Sequence, residues 1–371
     1  MRPVRRCRPP HSRSSASSAS VPPTRSARVS AEARPAAKRA PSPAAWRAAV
    51  APYIGPDASR ASIQLTTTLA LLALSFTLAY QLHDWSVWAA LALAPLSAGL
   101  LVRIFIFMHD CSHGSFLPWR RASDLVGFIT GVLTLTPFAQ WRRDHALHHA
   151  SSGDLERRGH GDIQTLTVRE YLARTPRGRF IYRLTRHPAS LLLVGPLYLM
   201  INQRFRPRSK ATGDQQIASV WWTNAAILVL GALTVVLFGW HALLVVYLPA
   251  IYLAASAGIW LFYVQHQFED AYWESAESWD YATAALHGSS HLVLNPVLQW
   301  FTGSIGLHHV HHLAPRIPNY RLQRCHDSTP LLQVAPVLTL RAGVSALTLA
   351  LWDEEQRRMV RFSDVTEAQS A

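Results

Sequence analysis

Apolar residues in this chain gather into long runs. Two occupy about 62–82 (SIQLTTTLALLALSFTLAYQL) and 86–107 (SVWAALALAPLSAGLLVRIFIF), and two more about 218–238 and 242–264. Each run approaches the roughly 20 residues a helix needs to cross a bilayer. The joints within each pair, around His83-Asp84 and Gly239-Trp240-His241, are short and carry no Lys or Arg. The stretch 103–218 between the pairs holds 17 Lys/Arg against 8 Asp/Glu. Positive charge stays on the cytoplasmic side, so both joints are expected outside and 103–218 inside. Shorter apolar stretches at about 125–141 and 189–201 are interrupted by Gly or Pro and read as interfacial or re-entrant helices. The predicted fold is all-α and integral to the membrane. It has four transmembrane helices in two hairpins, interfacial helices, and a cytoplasmic helical cap.

Composition refines this picture. Hydrophobic residues make up 49% and charged residues 16%, an apolar balance for a soluble chain. The net charge of +14 invites a nucleic-acid reading. Residues 1–60, however, contain 12 Lys/Arg and 2 Asp/Glu, so most of that charge sits at the N-terminus rather than on a folded basic face. Rich in Arg, Pro, Ser and Ala, this stretch reads as a disordered basic tail. A main domain is expected over 61–335 and a C-terminal cytoplasmic segment over 336–371. Cys7, Cys111 and Cys325 are isolated and form no CxxC pair.

The histidines carry the chemistry. His109 and His113 stand four apart at the end of the second run, on one helical face. His145, His148 and His149 form an H-x-x-H-H pattern, and His308, His311 and His312 form another. Adjacent residues on a helix splay by about 100°, so neighbouring imidazoles reach two different metals. His309 falls outside the pattern, as a supporting or surface residue. Cys111 lies about 200° around the helix from His109 and should pack away from the metals. His266 follows the last run and is a ninth candidate. The topology brings all nine to one membrane face. A structural zinc site needs four ligands, so this set suits two metals.

At this point the chain resembles the membrane fatty acid desaturase family, especially its bacterial acyl-lipid branch. The likeness rests on HDCSHGSF at 109–116, GDIQTLTVREY at 161–171 and QWFTGSIGLHHVHHLAPRIPNY at 299–320, and covers about 60–335. It implies a non-haem di-iron centre ligated by His109, His113, His145, His148, His149, His266, His308, His311 and His312. It also implies O2 as co-substrate and a membrane lipid or acyl substrate. The expected reaction takes two hydrogens from adjacent methylenes, with two electrons and two protons from elsewhere. It yields a cis double bond and two waters. A separate electron donor, ferredoxin-like, is implied, and no nucleic-acid partner. Asp110, Asp144, Asp154 and Asp162 lie near the boxes as candidates to hydrogen-bond the ligating imidazoles. His160, His187, His287, His291 and His326 match no ligand position. Hydroxylation, or oxidation of a carotenoid or other lipid, is the alternative for the same centre. A non-catalytic zinc-binding membrane protein or transporter is the alternative of another class.

Overall fold

The computed structural model describes residues 41–159, 163–205 and 213–365. Four helices are long and apolar enough to span a membrane: α2 (Ala58–Trp85), α3 (Val87–His113), α8 (Asp214–Phe238) and α9 (Ala242–His266). Ahead of them lies α1 (Pro43–Val50), and between the pairs come α4 (Arg120–Leu133), α5 (Phe138–Ser151), α6 (Pro176–Arg186) and α7 (Gly195–Arg204). The spans pair as expected, α2 with α3 and α8 with α9. Their tips meet, since the His83 and His241 rings lie 4.6 Å apart and Tyr80 packs edge-on against Phe238. Both short joints therefore sit at one end of the bundle, and the histidine boxes sit at the other.

The central helix is α3, with 61% of its apolar window buried against 11–22% for the other spans. Leu100, Leu101 and Ile104 of α3 pack with Leu72 of α2 and with Ala250, Ile251 and Ala254 of α9. The outward faces stay apolar, as in Leu228, Val236 and Leu237 of α8. In water such a surface would be costly; in lipid it is the expected solvent match.

The stretch read as re-entrant or interfacial is broken into α4 and α5, which meet at a 99° bend. Small residues permit the bend. A Cβ on Gly127 would fall 2.5 Å from the Phe138 ring, and one on Gly131 would fall 2.5 Å from the Thr136 carbonyl oxygen. Helix α6 exposes Phe180, Ile181 and Leu184, and the helical stretch after it exposes Leu193, Leu197 and Ile201. These faces suit an interfacial position.

Beyond α9 come α10 (Tyr281–His287), α11 (Pro296–Phe301), α12 (His308–Leu313) and α13 (Asn319–Ser328). Short strands accompany the helices. β1 (Leu166–Thr167) pairs in parallel with β4 (Leu351–Asp353), which pairs antiparallel with β5 (Arg358–Val360). β2 (His291–Leu292) pairs in parallel with β3 (Val337–Leu338).

Two boundaries differ from expectation. Residues 1–40 of the expected tail lie outside the described residues, but 41–60 are folded. Ser42 caps α1 and Pro43 opens it. Trp46 and Val50 then bury against Leu286 of α10, Val310 and Leu313 of α12, and Leu322 of α13. Two apolar residues four apart were enough for a helix that the surrounding Arg, Pro and Ala obscured. Likewise, the chain after 335 is no loose appendage among its described residues. Its strands complete both sheets, with Leu351 and Val360 buried against Leu166 and Tyr171.

Gly131→Ala should lower stability by about 1–3 kcal/mol, because the methyl meets backbone. Gly231→Ala, inside a helix with nothing within 4 Å of the new Cβ, should hold or slightly raise it. Thermal midpoints of the purified proteins in one detergent check this; equal midpoints would refute the argument.

Candidate metal centre

Each box stands where a helix ends or turns. Pro95 breaks α3 near its start, and Gly114 in the left-handed conformation stops it right after His113. Pro137 precedes α5, which carries His145, His148 and His149. His266 is the last residue of α9. Helix α12 is one short turn of histidines, pinned from behind by Trp46, Val50 and α10. The nine histidines named from sequence all converge.

They sort into two groups. His109, His113, His145, His149 and His311 form one; His148, His266, His308 and His312 form the other. In each, the candidate ligand atoms lie within 4.8 Å of one another. The adjacent pairs divide as helical splay requires: His148 and His149 face different groups, as do His311 and His312. The box of α3 instead sends both its imidazoles to one group.

The tautomers decide whether these contacts are hydrogen bonds. His109 Nδ1 lies 3.0 Å from Asp110 Oδ1 and donates to it, which leaves a bare lone pair on Nε2. That Nε2 sits 3.0 Å from Nε2 of His311, which is 3.0 Å from Nε2 of His149. His266 Nδ1 donates to the Gly288 carbonyl at 3.1 Å, so its Nε2 is also bare. It faces Nε2 of His308 at 3.0 Å and of His148 at 3.1 Å. Imidazole nitrogens about 2.1 Å from one ion and at right angles to each other lie about 3.0 Å apart. The spacing is therefore that of ligands around shared cations. His113 Nε2, His149 Nδ1, His308 Nδ1 and His312 Nε2 are buried without a hydrogen-bond partner. The donor set fits a metal pair: imidazole nitrogens gathered in two groups in dry surroundings.

Burial drives His308, His311 and His312 well below the ordinary imidazole pKa of 6.5. Neighbouring imidazoles add to this, led by His266 for His308, His109 for His311 and His149 for His312. The neutral ring is the metal-binding form.

Around the nitrogens, the carboxylate candidates separate. Asp110 supports His109 and is itself held by Asn319, whose backbone N and side-chain Nδ2 donate to Oδ2 at 2.8 and 2.9 Å. Asp154 has a different task. It accepts from the backbone of Glu156 and Arg157 and pairs with the Arg157 side chain, so it stabilises its own turn. Asp144 accepts from Gln140 Nε2. Asp162 and His160 lie outside the described residues. Cys111 packs with Phe107, Phe116 and Phe138, away from the nitrogens as expected. His309 is buried and lies 3.1 Å from His326 Nδ1, in neither group. His291 packs edge-on to His326, and His187 accepts from the Ala189 backbone.

Sequence reasoning missed Asn319 and Trp141. Trp141 stacks on His145 at 4.3 Å and packs edge-on to His109. Its signal was its place one helical turn before His145. Asn319 gave no local signal, because its partner is 209 residues away. Beside His266, a cavity of about 10 Å³ is lined by Phe262, Gln267, Trp273 and Gly288, room for about one water-sized molecule.

Comparison with known proteins agrees with this geometry. A family model described as fatty acid desaturase matches residues 86–335. A fatty acid desaturase of Bacillus subtilis (strain 168) is 43% identical over 314 residues, covering 84% of this chain and 89% of its own. An sn-1 acyl-lipid omega-3 desaturase (ferredoxin) of Synechocystis sp. is 27% identical, covering 70% and 71%. An acyl-lipid omega-3 desaturase (cytochrome b5) of Arabidopsis thaliana is 28% identical, covering 68% and 66%. With four spanning helices, two histidine groups at one end and this extent of similarity, the chain belongs to the fatty acid desaturase family of membrane oxidoreductases, which desaturate fatty acyl chains.

Proposed function

We propose that this enzyme introduces a cis double bond into acyl chains of membrane lipids, using O2 and two irons held by the nine histidines, with the metal end facing the cytoplasm. The observation that carries the reading is the pair of histidine groups whose Nε2 atoms stand about 3.0 Å apart. Bound iron supplies the oxygen activation needed to attack an unactivated methylene, which side chains cannot perform.

The chain's own part is positioning and exclusion of water. Asp110 and the Gly288 carbonyl fix the His109 and His266 rings through Nδ1, so that Nε2 points inward. Trp141 packs on His145 and Phe262 on His148, apolar rings that help to keep water from these imidazoles. A transporter would place its ligands near the middle of the spans; here they stand at helix ends, which favours the enzyme.

The orientation rests on the excess of Lys/Arg in 103–218. A separate donor, ferredoxin-like, would meet an electropositive face. Arg177 and Arg183 of α6 are exposed at the metal end and offer an acidic carrier its first contact. The relatives named for ferredoxin and for cytochrome b5 support a separate donor of either kind.

The purified protein should carry two irons per chain by elemental analysis, and expressing cells should gain a monounsaturated fatty acid by gas chromatography–mass spectrometry. Zinc without iron-dependent oxygen uptake would favour the non-catalytic reading, and a hydroxylated product alone would replace desaturation. His148→Ala should abolish product while the protein still inserts; retained turnover removes His148 from the ligand set. Asn319→Ala should weaken metal retention about 10–100-fold, since it frees the carboxylate that orients His109. Dialysis against a graded chelator measures this, and wild-type retention would contradict it.

A further inference from the structure

On the far side of Asp110 from the metals lies a 440 Å³ cavity that the desaturation chemistry does not use. Arg103, Gln64, Trp300, Asn319, Tyr320 and Gln323 line it, and no Asp or Glu does. Arg103 stands within the apolar run of α3, six residues or about 9 Å along the axis before His109. Only 4% of it is exposed. Its Nε donates to Thr68 Oγ1 at 3.3 Å, Nη1 donates to the Trp300 carbonyl, and the guanidinium stacks on the Trp300 ring at 4.2 Å. Among the described residues no carboxylate pairs with it. A cation within a span costs several kcal/mol and points to function. Nearby, Gln64 Oε1 is buried with no donor to satisfy it. The empty space is thus walled by one cation that no carboxylate compensates.

We propose that this cavity seats the phosphodiester headgroup of a membrane phospholipid, whose acyl chain is the one oxidised at the metal pair. The inference rests on the desaturase reading and names the acyl carrier for it. One guanidinium matches the single negative charge of a phosphodiester, and Gln64, Gln299 and Gln323 add polar side chains to the same wall. Coenzyme A brings several phosphate charges and needs more cations than this cavity holds. The phosphopantetheine of a carrier protein is also a phosphodiester, but here the cation stands within the apolar run of a spanning helix, where a lipid is already at hand. The cavity shares a wall with the metal site: Asn319 lines it and holds Asp110, which holds His109. Headgroup and oxidised carbons are thereby kept at a set separation.

The test uses the full-length holoenzyme in vesicles. Acyl chains of one length are offered on phosphatidylglycerol, on a phosphate-free galactolipid, on coenzyme A and on acyl carrier protein. Arg103→Gln should raise KM for phosphatidylglycerol at least tenfold, with kcat within twofold and iron content unchanged. Arg103→Lys should recover part of the loss, and turnover of the galactolipid should not respond. Wild-type preference for coenzyme A, carrier protein or galactolipid overturns the proposal. So does an Arg103→Gln variant that loses iron and kcat together, which would mark the arginine as packing. Should that variant fail to fold, Gln64→Leu and direct retention of phosphatidylglycerol by the purified wild type decide. Retention no greater than for galactolipid, or displacement by millimolar inorganic phosphate, counts against the headgroup. If the wild type desaturates nothing on any carrier, the desaturase reading fails, while the lipid-retention arm still judges the cavity.

Discussion

Imidazole nitrogens from distant parts of the chain are brought to within about 3 Å of one another in a dry interior, a spacing that a shared cation suits. Much of the structure serves to hold that convergence. His109 and His266 cannot turn their protons inward, because Asp110 and the Gly288 carbonyl occupy Nδ1. Protonation from outside is also suppressed, since burial and neighbouring rings hold His308, His311 and His312 well below 6.5. The site is thus prepared for metal by fixing two of its rings from behind and keeping three others neutral.

Such a site requires helices that end at a common level. Pairing α2 with α3 and α8 with α9 through joints only a few residues long returns each chain segment to the side it left. Gly114 stops α3 at the box, while the 99° bend after α4 swings α5 across the bundle end, so that its three histidines meet those of α3. Helix α12 is too short to hold itself in place. Its stability comes from Trp46, Val50 and Leu286 packed behind it.

The hydrophobic runs and the histidine spacing made the spans and all nine converging residues legible, because both are periodic signals written in local sequence. What stayed hidden was non-local or weakly patterned. The helix at 43–50 rests on two apolar residues in a stretch whose composition reads as disordered. The strands past 335 are two or three residues long and take their partners from elsewhere in the chain. Asp110 and Asp154 looked equivalent in sequence, each beside a box. Only the fold separates the carboxylate that reaches an imidazole from the one that turns back onto Arg157.

That separation bears on charge. Imidazole ligands alone would leave the charge of bound metal uncancelled, and Asp110 is a buried carboxylate hydrogen-bonded to a member of the set. It is shared, with one oxygen toward His109 and the other toward Asn319. Arg103 lies beyond Asn319, near enough to line the same cavity yet not paired with Asp110. Had the arginine reached that carboxylate, it would have drawn electron density from the imidazole and left the cavity without net charge. Asn319, a neutral donor, keeps the two apart. One carboxylate then serves the metals while one cation remains free to face an anion arriving from the lipid.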